Sequence, residues 1–171
     1  MAKCLWCEKK GFLLKVDEQS LCTKCANQIS EIAHSIQRDL EIQSDRIENA
    51  NTLGSAVAGK KSIVSACEAI RQYEDKGIEV YNIPTGEIIN DVYDEFNKSV
   101  VGIFENSLGK KLLKLETYKT EKTYYKHYEQ YLSEIDEAIE EIEPMENYQK
   151  SIDKLNAIKK QFEINFNYRF K

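Results

Sequence analysis

Apolar positions recur at helical spacing along most of this chain. From Cys25 to about Asn51, Ile29, Ala33, Ile36, Leu40, Ile47 and Ala50 follow at intervals of four and three, with polar Gln43 filling one slot. That period predicts one amphipathic helix. The stretch from Thr52-Leu53-Gly54 to Gly59 is expected to break it. A second helix is expected from about Lys61 to Lys76, with Ile63, Cys67, Ile70 and Tyr73 on one face and Gly77 as the left-handed residue beyond its end. Ile78 to Ile83 alternates and predicts an extended run that Pro84 ends. Thr85 is then placed to cap a third helix from about Gly86, which carries Ile89, Val92, Phe96, Val100 and Ile103. Glycine weakens a helix interior, so a kink or break is expected near Gly109.

Beyond that point the register changes. Tyr118, Tyr125, Leu132 and Ile139 recur every seven residues, with Tyr128, Ile135 and Ile142 at the complementary positions. Pro144 stops the pattern, and Tyr148, Ile152, Leu155, Phe162 and Phe166 define a returning helix. Charge favours antiparallel pairing of these two segments. Residues 129–146 hold Glu129, Glu134, Asp136, Glu137, Glu140, Glu141, Glu143 and Glu146 and no basic side chain, while Lys150, Lys154, Lys159 and Lys160 lie on the return. The expectation is a coiled-coil hairpin over about residues 110–166.

The first 28 residues follow a different pattern. Cys4-Leu5-Trp6-Cys7 and Cys22-Thr23-Lys24-Cys25 form two CxxC pairs separated by 14 residues. Four thiolates at that spacing can converge on one tetrahedral Zn²⁺. Gly11 is expected to supply the freedom to leave the first turn, Phe12 to Val16 a strand-like run, and Asp17-Glu18-Gln19-Ser20 the turn before Leu21. Cys22 and Cys25 then sit in the first turn of the long helix, whose dipole favours negative charge. The order is knuckle, hairpin, helix, a treble-clef arrangement. Four protein thiolates leave no open coordination position, so the zinc expected at Cys4, Cys7, Cys22 and Cys25 is structural. A module this short cannot bury enough apolar surface alone, and its metal must contribute to folding.

Gly11-Phe12-Leu13-Leu14-Lys15-Val16 followed by Leu21-Cys22-Thr23-Lys24-Cys25 resembles small treble-clef modules at the N-termini of bacterial and phage proteins of unassigned role. In layout it is similar to the zinc-binding domain of the ClpX unfoldase, over roughly residues 3–36. That resemblance implies dimerisation or docking of protein partners. No ATPase motif follows it in this chain.

Composition narrows the function. With 31% charged residues and a net charge of −5, the chain is mildly acidic, which disfavours bulk attraction to DNA. No apolar run approaches the roughly 18 residues that span a bilayer, so no membrane partner is expected. Cys4 so close to Met1 leaves no room for a signal peptide, and CxxC pairs of this kind suit a reducing cytoplasm. The abundance of Lys, Glu, Ile, Asn and Tyr is that of low-GC bacterial or phage genomes.

Residues 110–128 hold six lysines (Lys110, Lys111, Lys114, Lys119, Lys122 and Lys126) against two glutamates, interleaved with Tyr118, Tyr124, Tyr125 and Tyr128. Lysine alternating with tyrosine can hold a nucleic-acid strand through phosphates and base stacking. The competing reading makes the tyrosines core and the lysines a solvated face. His34 and His127, the two histidines, stand in no recognisable catalytic spacing. Cys67, on an apolar face, reads as a small buried hydrophobe. The segment ending Gly59-Lys60-Lys61-Ser62 departs from a phosphate-binding loop by an extra lysine and the lack of a preceding strand. The sequence therefore points to a mainly α protein in two parts, a zinc module at 1–28 and a helical domain at 29–171. Its expected function is non-enzymatic, that of a cytoplasmic adaptor or assembly protein, with helical surfaces that could also support homo-oligomers. A nucleic-acid-associated factor is the alternative.

Overall fold

The computed structural model describes residues 1–80, 83–143 and 148–169, with side chains up to Asn165. The described elements are β1 (Ala2–Lys3), β2 (Lys10–Gly11), α1 (Thr23–Glu48), α2 (Leu53–Glu74), α3 (Thr85–Thr117), α4 (Glu121–Ile142) and α5 (Gln149–Arg169). Pro144 as a helix stop, Glu146 in the acidic run, the Phe166 side chain and residues 81–82 of the extended run lie outside the described residues. The chain forms two compact units, one of residues 1–45 and 59–92, the other of residues 46–58 and 93–171.

In the first unit, β1 and β2 pair antiparallel, Ala2 opposite Gly11 and Lys3 opposite Lys10, closing a loop around the first CxxC. Phe12 to Val16 is not a strand; only Val16 makes an isolated bridge, to Cys22. The expected turn before Leu21 is present. The Asp17 carboxylate accepts the backbone N–H groups of Gln19 (3.0 Å) and Leu21 (2.8 Å), fixing it as an Asx-type turn. One buried cluster joins Cys4, Leu21, Cys22 and Cys25 to Ile29 and Ile36 of α1, Ile70 and Tyr73 of α2, and Ile78, Val80 and Ile83 beyond. The cysteine segment thus shares its core with helical residues.

α2 begins at Leu53, eight residues before the expected start, so the stretch through Gly59 is helical. The Thr52 hydroxyl accepts the N–H of Ser55 at 3.3 Å and caps it. A Gly costs about 1 kcal/mol in a helix interior, and the burial of Ala56 and Gly59 offsets it. The lysine run at Lys60-Lys61 is therefore helix, and no phosphate-binding loop forms there.

The end of α2 follows expectation closely. Gly77 has φ +73°, its N–H reaches the Glu74 carbonyl (2.8 Å), and the N–H of Ile78 reaches the Tyr73 carbonyl (3.0 Å). These are the two bonds of a Schellman motif, with buried Ile78 and Tyr73 as its hydrophobic pair. The following residues are not in a strand, yet Ile78 and Val80 are buried and Glu79 is exposed. In place of a partner strand, the Gln19 side chain pairs with the Glu79 backbone, accepting its N–H (2.8 Å) and donating to its carbonyl (3.2 Å). Thr85 is the first residue of α3, and its hydroxyl donates to Glu74 at 3.2 Å.

The second unit is organised around Tyr131. α3 runs unbroken through Gly109 to Thr117, and the break falls instead at 118–120, where the Thr120 hydroxyl accepts the Thr123 N–H and caps α4. The expected hairpin therefore starts at Glu121, because residues 110–117 belong to α3. α4 packs on α5, with Tyr128 and Tyr131 against Phe162 and Asp136 against Lys159, so α5 runs back along α4. Tyr131 is fully buried, 4.5 Å from the Phe162 ring and 5.9 Å from Phe104 of α3. Its hydroxyl lies 3.2 Å from Ser107 Oγ, which satisfies it.

The heptad register differs from expectation in one row. Tyr124, Tyr131 and Ala138 are buried together with Ile135 and Ile142, while Tyr118, Leu132 and Ile139 are half-buried and Tyr125 is 38% exposed. The ion pairs also distribute differently: Lys159 meets Asp136 of α4, Lys111 of α3 meets Glu134 (3.1 Å), and Lys154 turns to Glu105 of α3 (3.8 Å). Such exposed pairs are worth about 0–1 kcal/mol each and select register more than they stabilise.

Two glycine substitutions should move stability in opposite directions. A Cβ at either Gly77 or Gly109 meets nothing within 4 Å, so only backbone conformation decides. Gly77→Ala, at positive φ, should destabilise by about 1 kcal/mol, and Gly109→Ala, within a helix, should stabilise by about 0.5–1 kcal/mol. Urea unfolding of the two variants checks both signs.

Candidate metal centre

The first CxxC turn is held by its backbone. Glu8 N–H donates to the Cys4 carbonyl (3.0 Å) and Cys4 N–H to the Lys9 carbonyl (2.9 Å). The left-handed residue that lets the chain leave this turn is Glu8, φ +60°, and a second is Ser20, φ +59°. Gly11, expected in that role, sits in β2. Leu5 N–H donates to the Ser20 carbonyl (2.8 Å), drawing the two halves of the module together.

Cys22 immediately precedes α1, and its carbonyl accepts the N–H of Ala26 (3.0 Å), so it occupies the N-cap position. Cys25 lies in the first turn. The Sγ atoms of Cys4, Cys7, Cys22 and Cys25 all fall within 4.8 Å of one another. Cys7 Sγ and Cys22 Sγ are 3.9 Å apart, and all four residues are free thiols. A disulfide needs about 2.05 Å. Metal–sulfur bonds of about 2.3 Å in a tetrahedron put neighbouring sulfurs about 3.8 Å apart. The set fits a single metal ion held by four soft donors, a class that suits zinc or iron.

Electrostatics point the same way. Burial disfavours the Cys4 thiolate, but the N–H groups of Cys22 (3.3 Å to the sulfur), Cys7 and Trp6 outweigh it and bring the thiol down to about 6. Burial and the surrounding sulfurs push Cys25 up to about 12. Cys4 is therefore the readiest thiolate of the set, and a cation among the sulfurs would favour the thiolate that Cys25 otherwise resists.

Trp6, inside the first CxxC, packs against Tyr73 of α2 with ring centroids 4.3 Å apart and the planes tilted by 39°, and Lys76 Nζ lies 4.4 Å above its ring. Sequence reasoning missed this anchor, because nothing local to Trp6 shows that the end of α2 returns to it.

The remaining candidates separate. Cys67 is fully buried, and burial pushes its thiol up, as suits a small core hydrophobe. His34 is exposed, and His127 is half-buried with its ring stacked 4.4 Å from Tyr118. Lys110, Lys114, Lys119, Lys122 and Lys126 are exposed; Lys111 pairs with Glu134 and lies 4.9 Å over the Tyr131 ring. Of the interleaved tyrosines, Tyr124 is buried, Tyr118 and Tyr128 are half-buried against other rings, and Tyr125 is the one exposed. Among the described residues, no helix is long and apolar enough to cross a membrane.

No known protein family matches this sequence, and neither a curated protein nor a solved structure matches it. No family match supports the likeness to ClpX-type modules; what the structure shows is four cysteines close enough to hold one metal ion.

Removing the ion should loosen the first unit. Chelation is expected to lower its melting temperature and to red-shift the emission of Trp6, the single tryptophan. Cys22→Ser should cost about 3 kcal/mol or more, since metal-binding free energy is folding free energy. Because Cys25 must lose a proton to bind, metal affinity should fall as pH falls. Unchanged melting and emission after chelation would mean that the four sulfurs hold no ion.

Proposed function

We propose that this chain is a non-enzymatic, zinc-binding adaptor or assembly protein of the cytoplasm that binds protein partners. The observation that carries the reading is the donor set: four thiols of the chain itself converge on one point. Filled by a single ion, such a set has no open position for substrate or activated water, which assigns the metal a structural role. Zinc fits better than iron in that role because it brings no redox chemistry. In this reading residues 1–28 are a treble-clef module, and α4 and α5 are an antiparallel coiled-coil hairpin presenting an acidic outer surface.

The alternative, a nucleic-acid-associated factor using Lys110 to Lys126, is weaker. Single-strand binding relies on aromatic faces open to bases, and Tyr118, Tyr124 and Tyr128 are engaged within the protein.

Affinity capture of the zinc-loaded protein from its native cells, with and without nuclease, separates the two readings. The adaptor reading expects a stoichiometric protein partner that survives nuclease and tolerates Lys119→Glu, Lys122→Glu and Lys126→Glu together. Partners lost with nuclease, alongside salt-sensitive oligonucleotide binding that those substitutions abolish, would replace it with the alternative. Metal analysis should return one zinc per chain.

A further inference from the structure

We infer that the tip formed by Phe12 and Leu13 docks the protein on an anionic lipid surface. Phe12 is 90% exposed and Leu13 96%, the two most exposed large hydrophobic side chains among the described residues. They are consecutive and occupy the bend directly after β2. The bend is anchored on both sides: Gly11 pairs with Ala2, Leu14 packs against the buried cluster, and Val16 bridges to Cys22. Two neighbouring apolar side chains are thus held out in water by a cross-braced segment, where flexible burial against the chain's own core is denied them.

Lysine surrounds the tip in space: Lys9, Lys15 and Lys24 line the same hollow as Leu13 with no acidic residue among them, and Lys10 is exposed beside it. Glu8, Asp17 and Glu18 stand just outside, with Glu8 paired to Lys3, so the basic character is confined to the tip, where it suits an anionic surface. Shape favours a bilayer as the source of that surface, because a narrow tip of two protruding side chains enters an interfacial lipid layer without needing a matching pocket. Lysine stems can lie along the apolar boundary with their ammonium groups at the headgroups. Each lysine near such a surface strengthens binding roughly five-fold.

The expectation of no membrane partner rested on the absence of a spanning segment, and peripheral docking needs none. One tip gives weak, reversible attachment, comparable to a single lipid anchor. The inference goes beyond the adaptor reading, stands whether or not a protein partner is found, and would place the protein at a membrane face.

The test is co-sedimentation of the full-length, metal-loaded protein with vesicles of phosphatidylcholine alone or with about 30% phosphatidylglycerol. Binding is expected only to the anionic vesicles. It should weaken about ten-fold or more in Phe12→Ser/Leu13→Ser, weaken in Lys9→Gln/Lys10→Gln/Lys15→Gln, and decline with added salt. Both variants change exposed side chains, so their circular dichroism and melting should match the parent and show that folding is intact. No binding to anionic vesicles at low salt, equal binding to neutral vesicles, or full binding by Phe12→Ser/Leu13→Ser would each overturn the inference.

Discussion

Four sulfurs crowded at the N-terminus of one helix are the constraint on which the first unit depends. Bringing them within 4.8 Å leaves two of them, Cys4 and Cys25, with opposite tendencies to ionise. Backbone donors make Cys4 readily ionised, whereas burial first and the surrounding sulfurs second make Cys25 resist. A cation held by all four would favour the Cys25 thiolate and cross-link the first CxxC turn to the start of α1. Without it, Glu8 and Ser20 would hold left-handed conformations, costly for residues with a Cβ, to build a site with nothing to bind.

Other contacts run on from this point. Trp6 of the first turn meets Tyr73, and Tyr73 also supplies the carbonyl that closes the Schellman motif at Gly77. That motif turns the chain so that Ile78 and Val80 enter the buried cluster while Glu79 presents its backbone to Gln19. Gln19 in turn stands in the Asp17 turn that precedes Cys22. The path from the first sulfur to the end of α2 and back to the second CxxC is thus a closed circuit of contacts. A metal held at one point of it would be felt at residues sixty positions away in sequence.

Much of this was legible in the chain, and the exceptions have physical causes. The cysteine set, the long helix after it and the left-handed Gly77 follow from spacing and local backbone chemistry, which sequence carries directly. The tyrosine-rich helix was harder. Tyrosine stands at 118, 124, 125, 128 and 131, so two rows separated by one residue both offer heptad spacing. Which row turns inward is decided by Phe104 and Phe162 on other helices, and no local pattern reports that. The segment from Leu53 to Gly59 deceived for a related reason: glycine propensity favours a break, while burial of Ala56 and the Thr52 cap favour a helix. Tertiary burial outweighs propensity where the two conflict.

Lysines cluster in two places in this acidic chain, and their surroundings give the two clusters different chemistry. Around residues 110–128 the neighbouring aromatic rings are consumed inside the protein: Tyr124 is buried, Tyr118 stacks on His127, and Lys111 is drawn to Glu134 and the Tyr131 ring. What remains there is a solvated basic face. Around residues 9–15 the opposite holds, because the hairpin and the Val16 bridge leave Phe12 and Leu13 no inward direction. Exposed lysine alone is unremarkable on a soluble protein. Lysine beside apolar side chains that the fold itself holds outward is a chemically different surface, and it lies on the segment between the two CxxC pairs.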